Sequence, residues 1–367
     1  MFSHPSTTAS DESVDRRPFA LAIDLSYYVP GKAIGFNEYI SSLLTGFNGL
    51  VSVDFSITCY VRARYANSLQ ADYPSILFRP LPYSGLVSPR FLFHIYYYCK
   101  RHHFDCFLFP NNFLPLFFPR NSFVVVHDLG FLACPLSFGF AQRIYRWLFS
   151  MYSLTNAYRV IAISNQTSAE IFDYSGVKSR VIYNPVRVSV YRGPTRSTNT
   201  IVCPSSLAPH KNIVNAYSAC IEILNDNPDF SCDFVFCGNW SQQQFPSVSV
   251  HPRIHLVGFL SHEDLVTLFS SCQAFLLPSI YEGFGMPYIE SISMGKCLIC
   301  SDIPIARELA DGYPVYIDSP FGIKEISDAI LRASLQSFIP GPAPMSLSCV
   351  DPTKSAQQYL DFFTLSC

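Results

Sequence analysis

The chain has 367 residues and a formal net charge of −2; 49% of it is hydrophobic and only 14% is charged. At roughly 150 residues per domain this length suggests two domains, with apolar surface enough for two sizeable cores. Aromatic residues at 15% exclude a disordered chain. The near-neutral balance excludes a strongly basic nucleic-acid-binding domain, so no nucleic-acid partner is expected.

The start, MFSHPSTTASDESVDRRPF, is polar and acidic where a secretory signal would be apolar. The thirteen cysteines are therefore expected as small core residues in a reducing cytoplasm. The stretch Phe104–Val126 is interrupted by Asp105, Asn111, Asn112, Arg120, Asn121 and three prolines, so no membrane-spanning helix is expected.

Residues 1–18 read as a disordered leader. Phe19–Leu25 reads as a strand ending near Asp24, followed by a Pro30-Gly31 turn. Gly31 and Gly35 form a loop that opens a helix with Phe36, Tyr39, Ile40, Leu43 and Leu44 at helical spacing. A strand is expected over Val51–Tyr60 and a helix over Phe91–His103. Cys106–Phe109 and Phe123–His127 are short apolar runs suited to buried parallel strands. A helix follows over Phe140–Tyr158, then a strand over Arg159–Ser164. Ser164 caps a helix over Thr167–Tyr174, and Ser179–Tyr183 closes the unit.

This makes residues 19–184 one α/β unit, and residues 185–199, basic and without apolar periodicity, a linker. Residues 200–345 repeat the alternation. Strands are expected over Asn199–Pro204, Asp233–Cys237, Ile254–Val257, Ala274–Leu277, Cys297–Cys300 and Val315–Ile317. Helices are expected over Asn212–Asn225, His262–Ser270, Pro287–Met294 and Ile323–Gln336. Residues 346–367 carry a last amphipathic helix, Lys354–Phe363. The class is α/β: two doubly wound, Rossmann-like units facing a cleft.

The chemistry concentrates at strand ends. Pro278-Ser-Ile-Tyr-Glu282-Gly283-Phe284-Gly285-Met286-Pro287-Tyr-Ile-Glu290 follows a strand and opens a helix. Its glycines free backbone N–H groups at a helix start, which suits phosphate. Glu282 stands at the strand end, where open α/β sheets bind ligands; Glu290 lies about one turn into the helix. Carboxylates there suit sugar hydroxyls better than phosphate oxygens. An ordinary strand–turn–helix with two surface glutamates accounts for the same spacing.

Ser205-Ser206-Leu-Ala-Pro-His210-Lys211-Asn212 is a second such junction. Lys211 is a point charge suited to a diphosphate, and Asn212 a candidate N-cap; a solvated lysine beside a cap is the alternative. In the first unit, His127 and Asp128 end a hydrophobic strand, and Asn111-Asn112 end another. His127 suits proton movement or a hydroxyl contact, or a purely structural place. Cys297 and Cys300, three apart on a strand, point to opposite faces and cannot share one metal.

Together these residues resemble the retaining glycosyltransferases of family four, of GT-B fold. The branch is the one that builds bacterial surface polysaccharides and includes many mannosyltransferases. The resemblance covers nearly the whole chain after residue 19. It rests on Tyr281-Glu282-Gly-Phe-Gly-Met-Pro-Tyr-Ile-Glu290, on Leu207-Ala-Pro-His-Lys211-Asn212, on Val126-His127-Asp128-Leu129 and on Ile161-Ala-Ile-Ser164. Lys354–Phe363 resembles the family's final helix, which packs back on the N-terminal domain.

The resemblance implies a donor nucleotide sugar held by the C-terminal unit through Ser206, His210, Lys211, Gly283, Phe284, Gly285, Met286 and Glu290. It places His127 and Glu282 at the reaction centre, with Gly31, Gly35, Asn111, Asn112 and Asp128 on the acceptor side of the cleft. It implies no cofactor and no metal beyond the nucleotide sugar as co-substrate. The acceptor would be a glycan or lipid-linked glycan, at or near the inner face of a cytoplasmic membrane.

Two departures stand out: Ser206 occupies a position where many members carry arginine, with His210 as a candidate replacement charge, and Asn184-Pro185 stands in place of asparagine-glycine. A sugar-nucleotide epimerase and a catalytically silent binding subunit are the alternatives. The aromatic and basic segment 90–103 is the expected membrane contact, or else an ordinary core helix.

Overall fold

The computed structural model describes residues 17–31, 35–52, 54–81, 103–187, 198–204, 206–238, 251–335 and 347–367. In the first unit, seven parallel strands run in the order β3-β2-β1-β4-β5-β6-β7. They are β1 (Phe19–Asp24), β2 (Phe55–Arg62), β3 (Leu77–Leu81), β4 (Cys106–Phe109), β5 (Ser122–Val126), β6 (Arg159–Ala162) and β7 (Ser179–Val181). The helices α1 (Gly35–Leu50), α2 (Ala63–Asp72), α3 (Phe140–Asn156) and α4 (Asn165–Ser175) connect them. Central strands such as β5, Ser-Phe-Val-Val-Val, are buried along their whole length, as a parallel sheet covered on both faces requires.

The second sheet has six parallel strands in the order β10-β9-β8-β11-β12-β13. They are β8 (Thr200–Pro204), β9 (Asp233–Cys237), β10 (Ile254–Gly258), β11 (Ala274–Leu277), β12 (Cys297–Ser301) and β13 (Val315–Ile317). The helices are α5 (Ile213–Asp226), α6 (His262–Ser271), α7 (Met286–Ser293), α8 (Pro304–Ala310) and α9 (Ile323–Leu335). Cys297 and Cys300 of β12 join different core clusters on the two faces of this sheet. In both sheets the strand order reverses beside the first strand of the unit, between β1 and β4 and between β8 and β11. Ligands bind outside the carboxyl ends at such switch points. The two sequence junctions with chemistry, after β8 and after β11, therefore converge.

A last helix, α10 (Pro352–Ser366), returns to the first unit. A side chain on Gly46 of α1 would come within 2.0 Å of the Pro352 carbonyl oxygen, so the absence of a Cβ there lets the helices touch. Tyr39 and Tyr359 share a buried hydroxyl–hydroxyl bond of 3.0 Å, and Phe363 meets Phe123 edge-on at 4.7 Å. Burial of Tyr359, Leu360 and Phe363 contributes about 2 kcal/mol each to docking.

Several features differ from the sequence expectation, among them helix α8, Pro304–Ala310, which the sequence reading did not include. The second strand starts at Phe55, past a turn at Asp54, and runs on to Arg62. Helix α2 went unread because it buries only Ala66 and Leu69, and β3 because it is an edge strand carrying Pro80. The helix expected over 91–103 lies, but for His103, outside the described residues. Among the described residues no helix is long and apolar enough to cross a membrane.

Candidate active site

The switch point of the C-terminal sheet holds a short 3-10 turn, Pro209–Lys211, and the loop that leads into α7. Lys211 Nζ lies 2.6 Å from both carboxylate oxygens of Glu282. Ser279 Oγ donates to Glu282 Oε1 at 2.8 Å and is itself buried. The two charged side chains are only 25% and 16% exposed, so their attraction is screened less than a surface pair's.

Asn212 occupies the N-cap position of α5, but its side chain makes no cap. It adopts a left-handed backbone with φ 57°, and its amide donates to the carbonyls of Pro278 and Pro320. It therefore ties the Lys211 turn to the β11 loop. Gly285, at φ 77°, begins α7, and a Cβ there would strike the Tyr288 ring at 2.3 Å. Only glycine suits that conformation cheaply. Pro287 has no N–H and the Tyr288 N–H donates to the Gly285 carbonyl at 3.0 Å, while Gly285 and Met286 line the cavity.

Glu290 stands one turn into α7. Burial, with the like charge of Glu38 on α1 added, pushes its carboxyl up to about 7. Glu38 belongs to the opposite wall, so the two carboxylates face each other across the cleft. They line a cavity of about 750 Å³ together with Gly35, Phe36, His127 and Asp128 of the first unit and Ser206, Lys211, Glu282, Gly283, Phe284, Gly285 and Met286 of the second. Arg187, in the first residues of the segment read as a linker, is a further wall residue that sequence reasoning missed. Its guanidinium donates to the Ser41 carbonyl, Thr45 Oγ1 and the Tyr73 hydroxyl. A lone arginine outside any motif gave no sign of this.

His127 is fixed by its neighbours. Its Nε2 lies 2.8 Å from the Pro110 carbonyl, so that nitrogen carries the proton and donates. Tyr39 and Phe36 meet the ring edge-on at 4.8 and 5.7 Å. Burial pushes its pKa down, against the Pro110 hydrogen bond and the charge of Asp128. The imidazole is therefore neutral, with Nδ1 left as an acceptor.

Asn112, at φ 69°, does not reach the cavity. Its Oδ1 accepts from the His127 N–H at 2.7 Å, and its amide donates to the Asp128 carbonyl. It holds the histidine loop in place. Asn111 and the exposed turn residue Gly31 are also absent from the wall.

His210 turns away from the cavity. Its backbone N–H donates to Ser137 Oγ at 3.2 Å, its ring stacks on Phe138, and burial and the neighbouring Lys211 charge push its pKa down. It is not a substitute cation for the arginine position held by Ser206.

The two units meet beside the cavity. Ser164 caps α4 and donates to the Gly283 carbonyl at 2.9 Å. A Cβ on Gly283 would lie 2.1 Å from the His127 carbonyl oxygen. The Tyr281 hydroxyl donates to Glu170 at 2.7 Å and accepts from the Leu129 N–H. The Glu308 carboxylate accepts from the Asn165 and Gln166 amides at 2.7 and 2.9 Å, an anion on the N-terminus of α4.

Residues 193–337 match the model of the family described as glycosyl transferases group 1. The chain is 26% identical over 333 residues to the O-antigen chain mannosyltransferase RfbU of Salmonella typhimurium, covering 81% of this chain and 89% of that protein. Its fold superposes on WaaG, a glycosyltransferase involved in lipopolysaccharide biosynthesis, with a TM-score of 0.65 over 94% of this chain and 97% of that one, at 15% identity. It also superposes on the sucrose-phosphate synthase of Thermosynechococcus elongatus, with a TM-score of 0.68 over 94% of each chain at 16% identity.

The chain is a glycosyltransferase of GT-B fold. It is related to the bacterial mannosyltransferase-like enzymes of the group 1 family. As a GT-B transferase it takes a sugar from a nucleotide-sugar donor to a glycan or lipid acceptor, and the cavity between its two units is the candidate place for that transfer.

Proposed function

We propose that this glycosyltransferase moves a hexosyl group, with GDP-mannose as the favoured donor, to a hydroxyl of a glycan or lipid-linked glycan in surface-polysaccharide assembly, with retention at the anomeric carbon. The carrying observation is the Lys211–Glu282–Ser279 cluster and Glu290 on one wall of a single cavity with neutral His127 on the other. The similarity to a protein named as an O-antigen chain mannosyltransferase supports the donor.

In this reading Lys211 and the backbone N–H groups of Gly285 and Met286 hold the diphosphate and stabilise the charge that grows as it departs. Glu282 keeps acceptor capacity beyond its bonds to Lys211 and Ser279, and takes hydroxyls of the transferred sugar. Glu290 takes the ribose hydroxyls, and Nδ1 of His127 accepts a sugar hydroxyl. The acceptor oxygen bonds to the anomeric carbon on the face that the diphosphate leaves. The acceptor proton passes to the departing phosphate oxygen, and a nucleoside diphosphate is released.

The test is a panel of GDP- and UDP-sugars with and without a lipid-linked glycan acceptor, following nucleotide release and the anomeric configuration of the product. Acceptor-dependent release of GDP with an α-linked mannose is the expected result. Release of an altered nucleotide sugar without acceptor would replace the proposal with an epimerase, and no turnover with any donor would leave a binding subunit.

A further inference from the structure

Lys211 and Glu282 stand at the switch point of the second sheet. The switch point of the first sheet, between β1 and β4, has a polar cluster of its own. Asp24 closes β1, Arg62 closes β2, and Asn111 lies two residues beyond β4. Asp24 is 6% exposed and Arg62 8%. The two grip one residue between them: the Ser26 N–H donates to Asp24 Oδ1 at 2.9 Å, and Arg62 Nε donates to the Ser26 carbonyl at 2.8 Å. Asp24 Oδ2 and Asn111 Oδ1 are buried with no hydrogen-bond partner. Buried polar atoms are nearly always paired, and two orphaned oxygens at a ligand-binding strand edge point to a ligand that donates to them.

An aromatic shelf stands beside these groups. Tyr145 of α3 is 47% exposed. Its ring lies 4.5 Å from that of Phe149 and 6.3 Å from that of Phe113, two residues after Asn111. Tyr27 joins the shelf to the strand ends. Burial, then Asp24, then Tyr145 push its hydroxyl up to about 12, while Arg62 opposes them, so all these groups act on one space. The cluster also adjoins the transfer site. The residues on either side of Asn111 both bond to His127, Pro110 to its ring at 2.8 Å and Asn112 to its backbone N–H at 2.7 Å.

We propose that this edge is a carbohydrate subsite, in which one pyranose of the acceptor stacks on Tyr145 and meets Asp24, Arg62 and Asn111 with its hydroxyls. A sugar ring has an apolar C–H face and a rim of hydroxyls, and an aromatic wall with a few placed polar groups suits both. Its hydroxyls donate to Asp24 Oδ2 and Asn111 Oδ1, and a hydroxyl oxygen accepts from the Arg62 guanidinium. The two charges that act on Tyr27 are opposite in sign, so a neutral ligand fits better than an anion, which Asp24 would repel. The subsite rests on the reading of the acceptor as a glycan and is independent of the donor's identity.

The test is binding without turnover. The full chain is mixed with α-linked disaccharides of mannose, galactose and rhamnose, and separately with inorganic pyrophosphate, and saturation-transfer NMR reads contact and affinity. At least one disaccharide should bind, with transfer strongest to the C–H protons of one ring. Tyr145→Ala should weaken that binding about tenfold, and Tyr145→Phe, which keeps the ring, about twofold at most. Asp24→Asn, which keeps an acceptor for the Ser26 N–H, should weaken it about fivefold or more. Circular dichroism checks folding, and the exposed Tyr145 supplies a variant that leaves the core untouched. GDP is titrated into the same samples; failure of GDP to bind while a disaccharide does would count against the donor reading and leave the subsite standing. No contact with any disaccharide, equal affinity in wild type and Tyr145→Ala, or binding of pyrophosphate alone would overturn the subsite. So would loss of sugar binding in Glu282→Ala but not in Tyr145→Ala, since the probe would then sit in the donor cavity.

Discussion

Lys211 and Glu282 are bonded to each other at 2.6 Å, so each orients the other before any donor arrives. A hydrogen bond to a charged group is worth about 1.5–3 kcal/mol. Lys211→Ala and Glu282→Ala should each lower kcat/KM by about 10- to 150-fold. The double variant should be little worse than either single one, because the two act as a unit; strictly additive losses in steady-state assays would show that they act independently. Ser279 is a positioning residue for the same carboxylate. Ser279→Ala should lower kcat by about fivefold with KM nearly unchanged, and Ser279→Thr, which keeps the hydroxyl, should restore part of it.

Glu290 supplies a pH prediction. Its carboxyl is raised from 4.5 to about 7 in the folded chain, by burial first and Glu38 second. A raised carboxyl means that the folded state disfavours the ionised form. Its cost to stability is absent below about 4.5, grows as pH rises, and is complete above 7. Glu290→Gln should therefore raise Tm at pH 8 and leave it unchanged at pH 4. Donor affinity should move the other way: wild type should bind more weakly as pH falls through 7, while the Gln variant binds weakly at every pH. Calorimetric titration with the donor nucleotide at pH 6 and pH 8 measures both limbs.

At the scale of elements, the loop between β11 and α7 does two jobs with two glycines. Gly285 takes the left-handed backbone that starts the helix, and Gly283 lets the loop touch the end of β5 in the other unit. Gly283→Ala would put a methyl group 2.1 Å from the His127 carbonyl oxygen. Backbone cannot yield there as a flexible side chain would, and overpacking of this kind costs about 1–3 kcal/mol. Turnover should fall by about ten- to a hundredfold. Each unit should keep its own sheet, as read by far-ultraviolet circular dichroism.

At the scale of the whole molecule, the chain crosses twice between the units, and the returning helix α10 seals the first unit's core against α1. Tyr359→Phe would strip Tyr39 of its buried hydroxyl partner, a loss of about 1–3 kcal/mol. Gly46→Val would push α10 off altogether, because the obstacle is the Pro352 backbone. Thermal unfolding should show a modest fall for the first and a larger one for the second. The larger fall should bring early exposure of the first unit, detectable by limited proteolysis. If Gly46→Val melted like wild type, α10 would not be part of that unit's core.

Much of this was legible in the amino-acid sequence. Continuous apolar runs such as Phe123–Val126 and Ala274–Leu277 suit central parallel strands, and the glycines and proline of 283–287 mark a helix start at a strand end. These features are local, and local periodicity carries them. The places where residues distant in sequence meet were not legible. Nothing near Lys211 announces that its charge is met by Glu282, 71 residues on. Nor does anything near His210 show that Ser137 and Phe138 draw it away from the cavity. Asn212 looked like a cap and Asn112 like a cleft residue. Both instead take a positive φ held by hydrogen bonds to remote segments. The sequence by itself determined two parallel-sheet units and the loops that carry the chemistry. Only the tertiary structure decided which side chains of those loops face the cavity, because that depends on how closely two separately folded sheets approach.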